Sequence, residues 1–104
     1  MYVIIWEYQI KAERAAEFER IYGEAGAWVE LFKKGRGYLG TELLRDSDHF
    51  DRYMTIDRWA SLADYKSFLL HWKNQYETLD SYCKDLIERE TLSGQWESIS
   101  LETR

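Results

Sequence analysis

The chain has 104 residues, one cysteine, no proline and a formal charge of −5. That length supports a single hydrophobic core, a lone thiol calls for no oxidising compartment, and an acidic balance argues against nucleic acid, whose binding rests on Lys and Arg. Seventeen aromatic residues (five Trp, eight Tyr, four Phe) exclude a disordered chain, and the longest apolar stretch, Val3 to Trp6, is far too short for a bilayer. The expectation is one soluble, cytoplasmic domain over residues 1–104, with aromatics that line a pocket or lie under a second copy of the chain.

Tyr2 to Ile10 is rich in β-branched and aromatic residues and reads as a strand. Alternation puts Tyr2, Ile4, Trp6 and Tyr8 on one face and Val3, Ile5 and Glu7 on the other. Only Glu7 is charged, so both faces are expected to be covered, unlike a sheet with one wet face. From Ala12 to Lys34 the period changes: Phe18, Ile21, Tyr22, Ala25, Trp28, Val29 and Phe32 recur at helical steps. Gly23 and Gly26 predict a bend or break, and Gly35 is placed as a left-handed cap after Lys33 and Lys34.

Gly37 to Arg45 and Phe50 to Trp59 read as strands around the polar turn 46–49. In the second, Tyr53, Thr55 and Asp57 share a face. Ser61, with Asp64 three residues on, caps a helix whose stripe is Leu62, Tyr65, Phe68, Leu69 and Trp72. A further helix carries Tyr76, Leu79, Tyr82, Cys83 and Leu86, and Thr91 to Leu101 returns to strand. The order β-α-β-β-α-α-β predicts an α+β, ferredoxin-like antiparallel sheet with helices on one face. A covered second face adds a homodimer.

Three segments carry a family resemblance: Trp28-Val29-Glu30-Leu31-Phe32, Gly37-Tyr38-Leu39-Gly40-Thr41-Glu42-Leu43, and Tyr53-Met54-Thr55-Ile56-Asp57-Arg58-Trp59. In order and spacing the chain resembles the antibiotic biosynthesis monooxygenase superfamily of dimeric α+β barrels, nearest its small uncharacterised bacterial members. The resemblance implies a homodimer with a cavity in each subunit between sheet and helices. It also implies an oxidoreductase that works without a cofactor, acting on a small aromatic or polyketide-like compound. The haem-degrading branch uses Asn, Trp and His where Glu7, Phe68 and about Thr78 stand here. The Asn, Trp, Tyr and Arg of the phenol-oxidising branch do not map position by position, so no catalytic set carries over.

Other chemistries find little support in the residues. Gly35 to Gly40 spells G-x-G-x-x-G, but a dinucleotide site needs a strand before it and a helix after it, the reverse of the order here. His49, His71 and Cys83 have no metal-ligand spacing, and Cys83 falls on an apolar stripe. Acid–base work is the live option, with Glu7, Asp57 and His71 as catalytic candidates. Trp6, Tyr53, Tyr65, Phe68 and Trp72 are the candidate ligand-binding aromatics. Against this, Glu7 can pair with Arg52, Arg58 or Lys11, His71 can be a surface residue, and aromatics commonly fill core. The alternatives to an enzyme are a non-catalytic binder of a hydrophobic small molecule and a purely structural dimer.

Overall fold

A computed structural model describes residues 1–99. Strand β1 spans Tyr2–Ile10, followed by a 3₁₀ turn and helices α1 (Ala15–Tyr22) and α2 (Ala27–Phe32). Strands β2 (Tyr38–Arg45) and β3 (Arg52–Trp59) form a hairpin, then come α3 (Leu62–His71), α4 (Lys73–Cys83), a second 3₁₀ turn and β4 (Ile87–Glu97). The four strands make one antiparallel sheet in the order β2-β3-β1-β4, with the helices on one face: the predicted ferredoxin-like α+β arrangement.

Local chemistry sets most of the boundaries. α1 ends where Gly23 turns to an extended conformation and α2 starts after an extended Gly26; only glycine fits at 26, because a Cβ there would fall 2.2 Å from the Ile21 carbonyl oxygen. Ser61 Oγ accepts from the Asp64 amide at 3.1 Å, satisfying an orphan donor at the start of α3. Gly35 is not the left-handed residue, contrary to the sequence expectation. Positive φ falls on Gly37 (86°) and Gly40 (146°), and Gly35 is instead small because Phe68 and Trp59 close over it. β4 begins at Ile87, four residues before the predicted start, because Ile87 pairs with Ile10. The charged run Glu88-Arg89-Glu90 hid it; charges suit an edge strand, where they discourage further pairing. The predicted end of that strand at Leu101 lies outside the described residues.

The core sits between sheet and helices. Trp59, Phe18 and Phe68 are fully buried with Ile4, Ile10, Cys83 and Leu86. Phe32 lies edge-on to both Trp59 and Phe68, at 5.8 and 5.4 Å between centroids. Truncating one such ring costs about 3–5 kcal/mol. The opposite face has no helices and is semi-apolar: Val3, Ile5, Met54 and Ile56 are half-buried, and Leu44 and Trp96 are exposed. The Arg52–Glu7 and Arg58–Glu42 ion pairs, at 2.7 and 2.6 Å, lie on the same face. Among the described residues no helix is long and apolar enough to cross a membrane.

Candidate functional site

The packed core leaves a cavity of about 230 Å³ between sheet and helices. Its floor is sheet: Trp6 and Tyr8 from β1, Thr55 and Asp57 from β3, Thr41 from β2 and Glu90 from β4. The register makes this a single surface, with Trp6 opposite Thr55, Tyr8 opposite both Tyr53 and Glu90, and Thr41 opposite Asp57. Its roof is helix: Tyr22 of α1, Trp28 and Phe32 of α2, and Tyr76 and Asp80 of α4. Six aromatic side chains thus surround a space that holds carboxylates.

Asp57 is the unusual group. It is 6% exposed, and with Thr55 it is a buried polar side chain within an otherwise apolar or aromatic core. Thr41 Oγ1 donates to its Oδ1 at 2.6 Å, and Thr41 in turn accepts from the Tyr38 hydroxyl at 2.6 Å. Burial pushes the Asp57 carboxyl up to about 6, with the Thr41 hydrogen bond pulling the other way. Among the described residues no cation contributes to that balance, and the carboxyl lines the cavity. A carboxyl with this pKa is ionised at neutral pH yet close enough to it to exchange a proton readily.

The hydroxyls around Asp57 keep their protons. Burial raises the Tyr8 and Tyr22 hydroxyls well above their ordinary value, so both remain neutral donors. The Tyr8 hydroxyl lies 3.4 Å from Thr55 Oγ1. Partial burial, and then its neighbour Asp80, raise the pKa of Glu90, although much of that residue is exposed at the cavity mouth.

Among the sequence-derived candidates, the structure brings Asp57 and Trp6 into the cavity wall and disperses the others. Glu7 lies on the helix-free face, where the Arg52 guanidinium at 2.7 Å holds its carboxyl below its usual range. His71 is exposed at the end of α3, with Nδ1 2.9 Å from the Ser67 carbonyl oxygen. Tyr53 is buried but donates to Glu19 Oε2. Tyr65 stacks on Tyr2, with a hydroxyl lifted to about 12 by burial. Phe68 is central core, and Trp72 sits beneath the Lys34 ammonium at 5.3 Å. Sequence reasoning passed over Tyr8, Tyr22, Trp28, Phe32, Thr41, Tyr76, Asp80 and Glu90. Among the described residues no group of three His, Cys, Asp or Glu side chains has metal-site geometry.

The family model for antibiotic biosynthesis monooxygenases matches residues 1–75. The chain belongs to the antibiotic biosynthesis monooxygenase family. Solved structures carry the same fold across the whole domain. A single-site variant of SnoaB, a cofactor-independent oxygenase from Streptomyces nogalater, superposes with a TM-score of 0.79 at 16% identity, over 99% of this chain and 97% of that one. A candidate antibiotic biosynthesis monooxygenase from Deinococcus radiodurans gives 0.75 at 15% identity, over 96% and 94%. A protein of the same description from Nitrosomonas europaea gives 0.70 at 16%, over 96% and 100%. Among functionally curated proteins none matches this sequence. At these identities the likeness concerns the fold, and the chemistry has to be argued from this family member's own cavity.

Proposed function

We propose that this protein is a cofactor-independent oxygenase of a small hydroxylated aromatic compound, with Asp57 as the base. The observation that carries the reading is a buried carboxylate with a pKa of about 6, without a cationic partner among the described residues, in the wall of an aromatic cavity. A purely structural core has no use for such a group, since burying an unpaired charge is unfavourable. The size supports a small substrate. About 230 Å³ lies below the roughly 300–1,000 Å³ of drug-sized pockets but above the roughly 150 Å³ that admits benzene. One ring with substituents, or two fused rings, fits.

The chemistry follows from proton transfer. Asp57 takes the phenolic proton, and the electron-rich anion passes an electron to O₂. The two radicals combine at an unsubstituted ring carbon ortho or para to the oxygen. The Asp57 carboxyl returns its proton to the terminal peroxide oxygen, the O–O bond breaks, and the ring C–H proton leaves with the hydroxide as water. The sum is phenol plus O₂ giving quinone plus water, with all four electrons supplied by the substrate. An ordinary phenol near pKa 10 lies about four units above Asp57, an uphill transfer of about 5–6 kcal/mol. That fits within the roughly 16 kcal/mol barrier of an enzyme turning over about ten times per second.

Oxygen uptake over a panel of single- and two-ring phenols tests this reading. The wild type should exceed the enzyme-free rate and form products that have gained one oxygen and lost two hydrogens, and Asp57→Asn should abolish both. Saturable quenching of Trp fluorescence with no oxygen uptake would instead make the cavity a binding site without turnover.

A further inference from the structure

The charge in the cavity is one-sided. Asp57 lies in its floor, and Asp80 and Glu90 line it from α4 and β4, while among the described residues no Lys, Arg or His lines it. Lys84 is near enough to Glu90 to lower its pKa, though it does not line the space. The three carboxylates line the same space as Tyr76 in the roof. Around them stand the faces and edges of Trp6, Trp28, Phe32 and Tyr76. Aromatic walls with negative potential and no cation form an environment that attracts a cation: ring quadrupoles and carboxylates act in the same direction.

We infer that the cavity selects a hydroxylated aromatic amine, whose protonated nitrogen sits between Asp80 and Glu90 while its hydroxyl meets Asp57. The inference rests on the reading of this cavity as the reaction site and narrows its substrate class. It also removes a difficulty in the proton transfer. When Asp57 accepts the phenolic proton, its negative charge moves onto the substrate oxygen, in a space that also holds two other carboxylates. With a neutral phenol the bound complex carries all three negative charges without a counter-charge in the cavity wall. With an ammonium on the substrate, the deprotonated ligand is net neutral, and the two outer carboxylates hold the cation in place. An aromatic acid is excluded by the same potential.

Three probes of matched size and different charge separate the possibilities: tyramine, tyrosol and para-hydroxyphenylacetate. Their affinities for the full-length protein are read from Trp fluorescence quenching, with oxygen uptake followed in parallel. Tyramine should bind at least about tenfold more tightly than tyrosol, and roughly a hundredfold more tightly than the acid. Its advantage should shrink as salt is added. An Asp80→Asn, Glu90→Gln double variant, altered where Asp80 is half-buried and Glu90 exposed, should retain its melting transition and bring the three probes within about threefold of one another. Equal binding of all three, tighter binding of the acid, or no binding at all would overturn the inference. Asp57-dependent oxygen uptake with tyrosol but no preference for the amine would remove the charge selectivity and leave the oxygenase reading standing. A preference for the amine without oxygen uptake would do the reverse.

Discussion

Replacing Asp57 with Asn should make the protein more stable at neutral pH while removing the proposed oxygenase activity. The folded chain lifts this carboxyl to about 6, against about 3.9 in an unfolded chain, so the ionised form costs the native state about 3 kcal/mol. The sign follows from proton binding. Between about pH 4 and 6 the unfolded chain releases this proton before the folded chain does, so stability falls as pH rises through that window and stays lower above it. Asn has nearly the same shape, carries no charge, and keeps an oxygen for the Thr41 hydroxyl to donate to. Urea unfolding at a series of pH values from 4 to 8, on wild type and Asp57→Asn, measures the effect directly. The two proteins should be about equally stable at pH 4, and the variant ahead by about 2–3 kcal/mol at pH 7.5, a large part of the 5–15 kcal/mol typical of a domain. Other shifted groups, Glu7 downward and Glu90 upward, are common to both proteins and cancel in the difference. A pH-independent difference, or a variant less stable at pH 7.5, would refute the picture of Asp57 as a buried, uncompensated charge.

Thr41→Val removes the hydroxyl that donates to Asp57, so the carboxyl should rise further and the acid limb of a kcat/KM profile should move up by about one pH unit. Glu7→Gln and His71→Ala both alter side chains outside the cavity, so oxygen uptake with either variant should stay within about twofold of wild type; a loss of tenfold or more would return them to the site. The helix-free sheet face predicts a dimer of about 25 kDa from two chains of 12.5 kDa. Ile56→Glu, at the centre of that face opposite Ile5, should give a monomer in native mass spectrometry, and an unchanged dimer would place the interface elsewhere.

The residues made some of this legible and hid the rest for identifiable reasons. The two-faced β1, the break at Gly23 and Gly26, and the Ser61 cap are local signals, and the fold follows them. The shared face of Tyr53, Thr55 and Asp57 is also strand alternation, and it placed Asp57 correctly among its neighbours. The same rule separates Glu7 from Trp6, since adjacent strand residues point to opposite sides, and the structure keeps them apart. The cavity roof was not readable. Tyr22, Trp28 and Tyr76 come from three helices whose relative placement is decided by packing, and each looked like an ordinary core position on its own stripe. Glu90 was hidden twice, by a charged edge strand and by a register shift between Gln9 and Ile10. That shift gives Ile87 and Glu90, three apart, the same side of the sheet.

A second irregularity of this kind builds the hydrogen-bond chain behind Asp57. Tyr38 and Thr41 are three residues apart and would point to opposite faces of a regular strand. The register shift between Tyr38 and Gly40 lets both face the helices, where the Tyr38 hydroxyl donates to Thr41 and Thr41 donates to Asp57. Leu39, the extra residue, is left exposed. Gly40 makes the bend at φ 146°, with no other atom within 4 Å of a Cβ added there. Space is therefore not what demands glycine at this position; the backbone angle is. Gly40→Ala should cost about 1–3 kcal/mol through that angle alone. By loosening the bulge it should also weaken the Thr41 donor, so the stability loss should come with an upward move of the acid limb in the pH–rate profile. A variant as stable as wild type would show that the bend tolerates a side chain. A destabilised variant with an unmoved profile would show that the chain from Tyr38 to Asp57 does not depend on the bulge, and that Thr41 finds Asp57 by register alone.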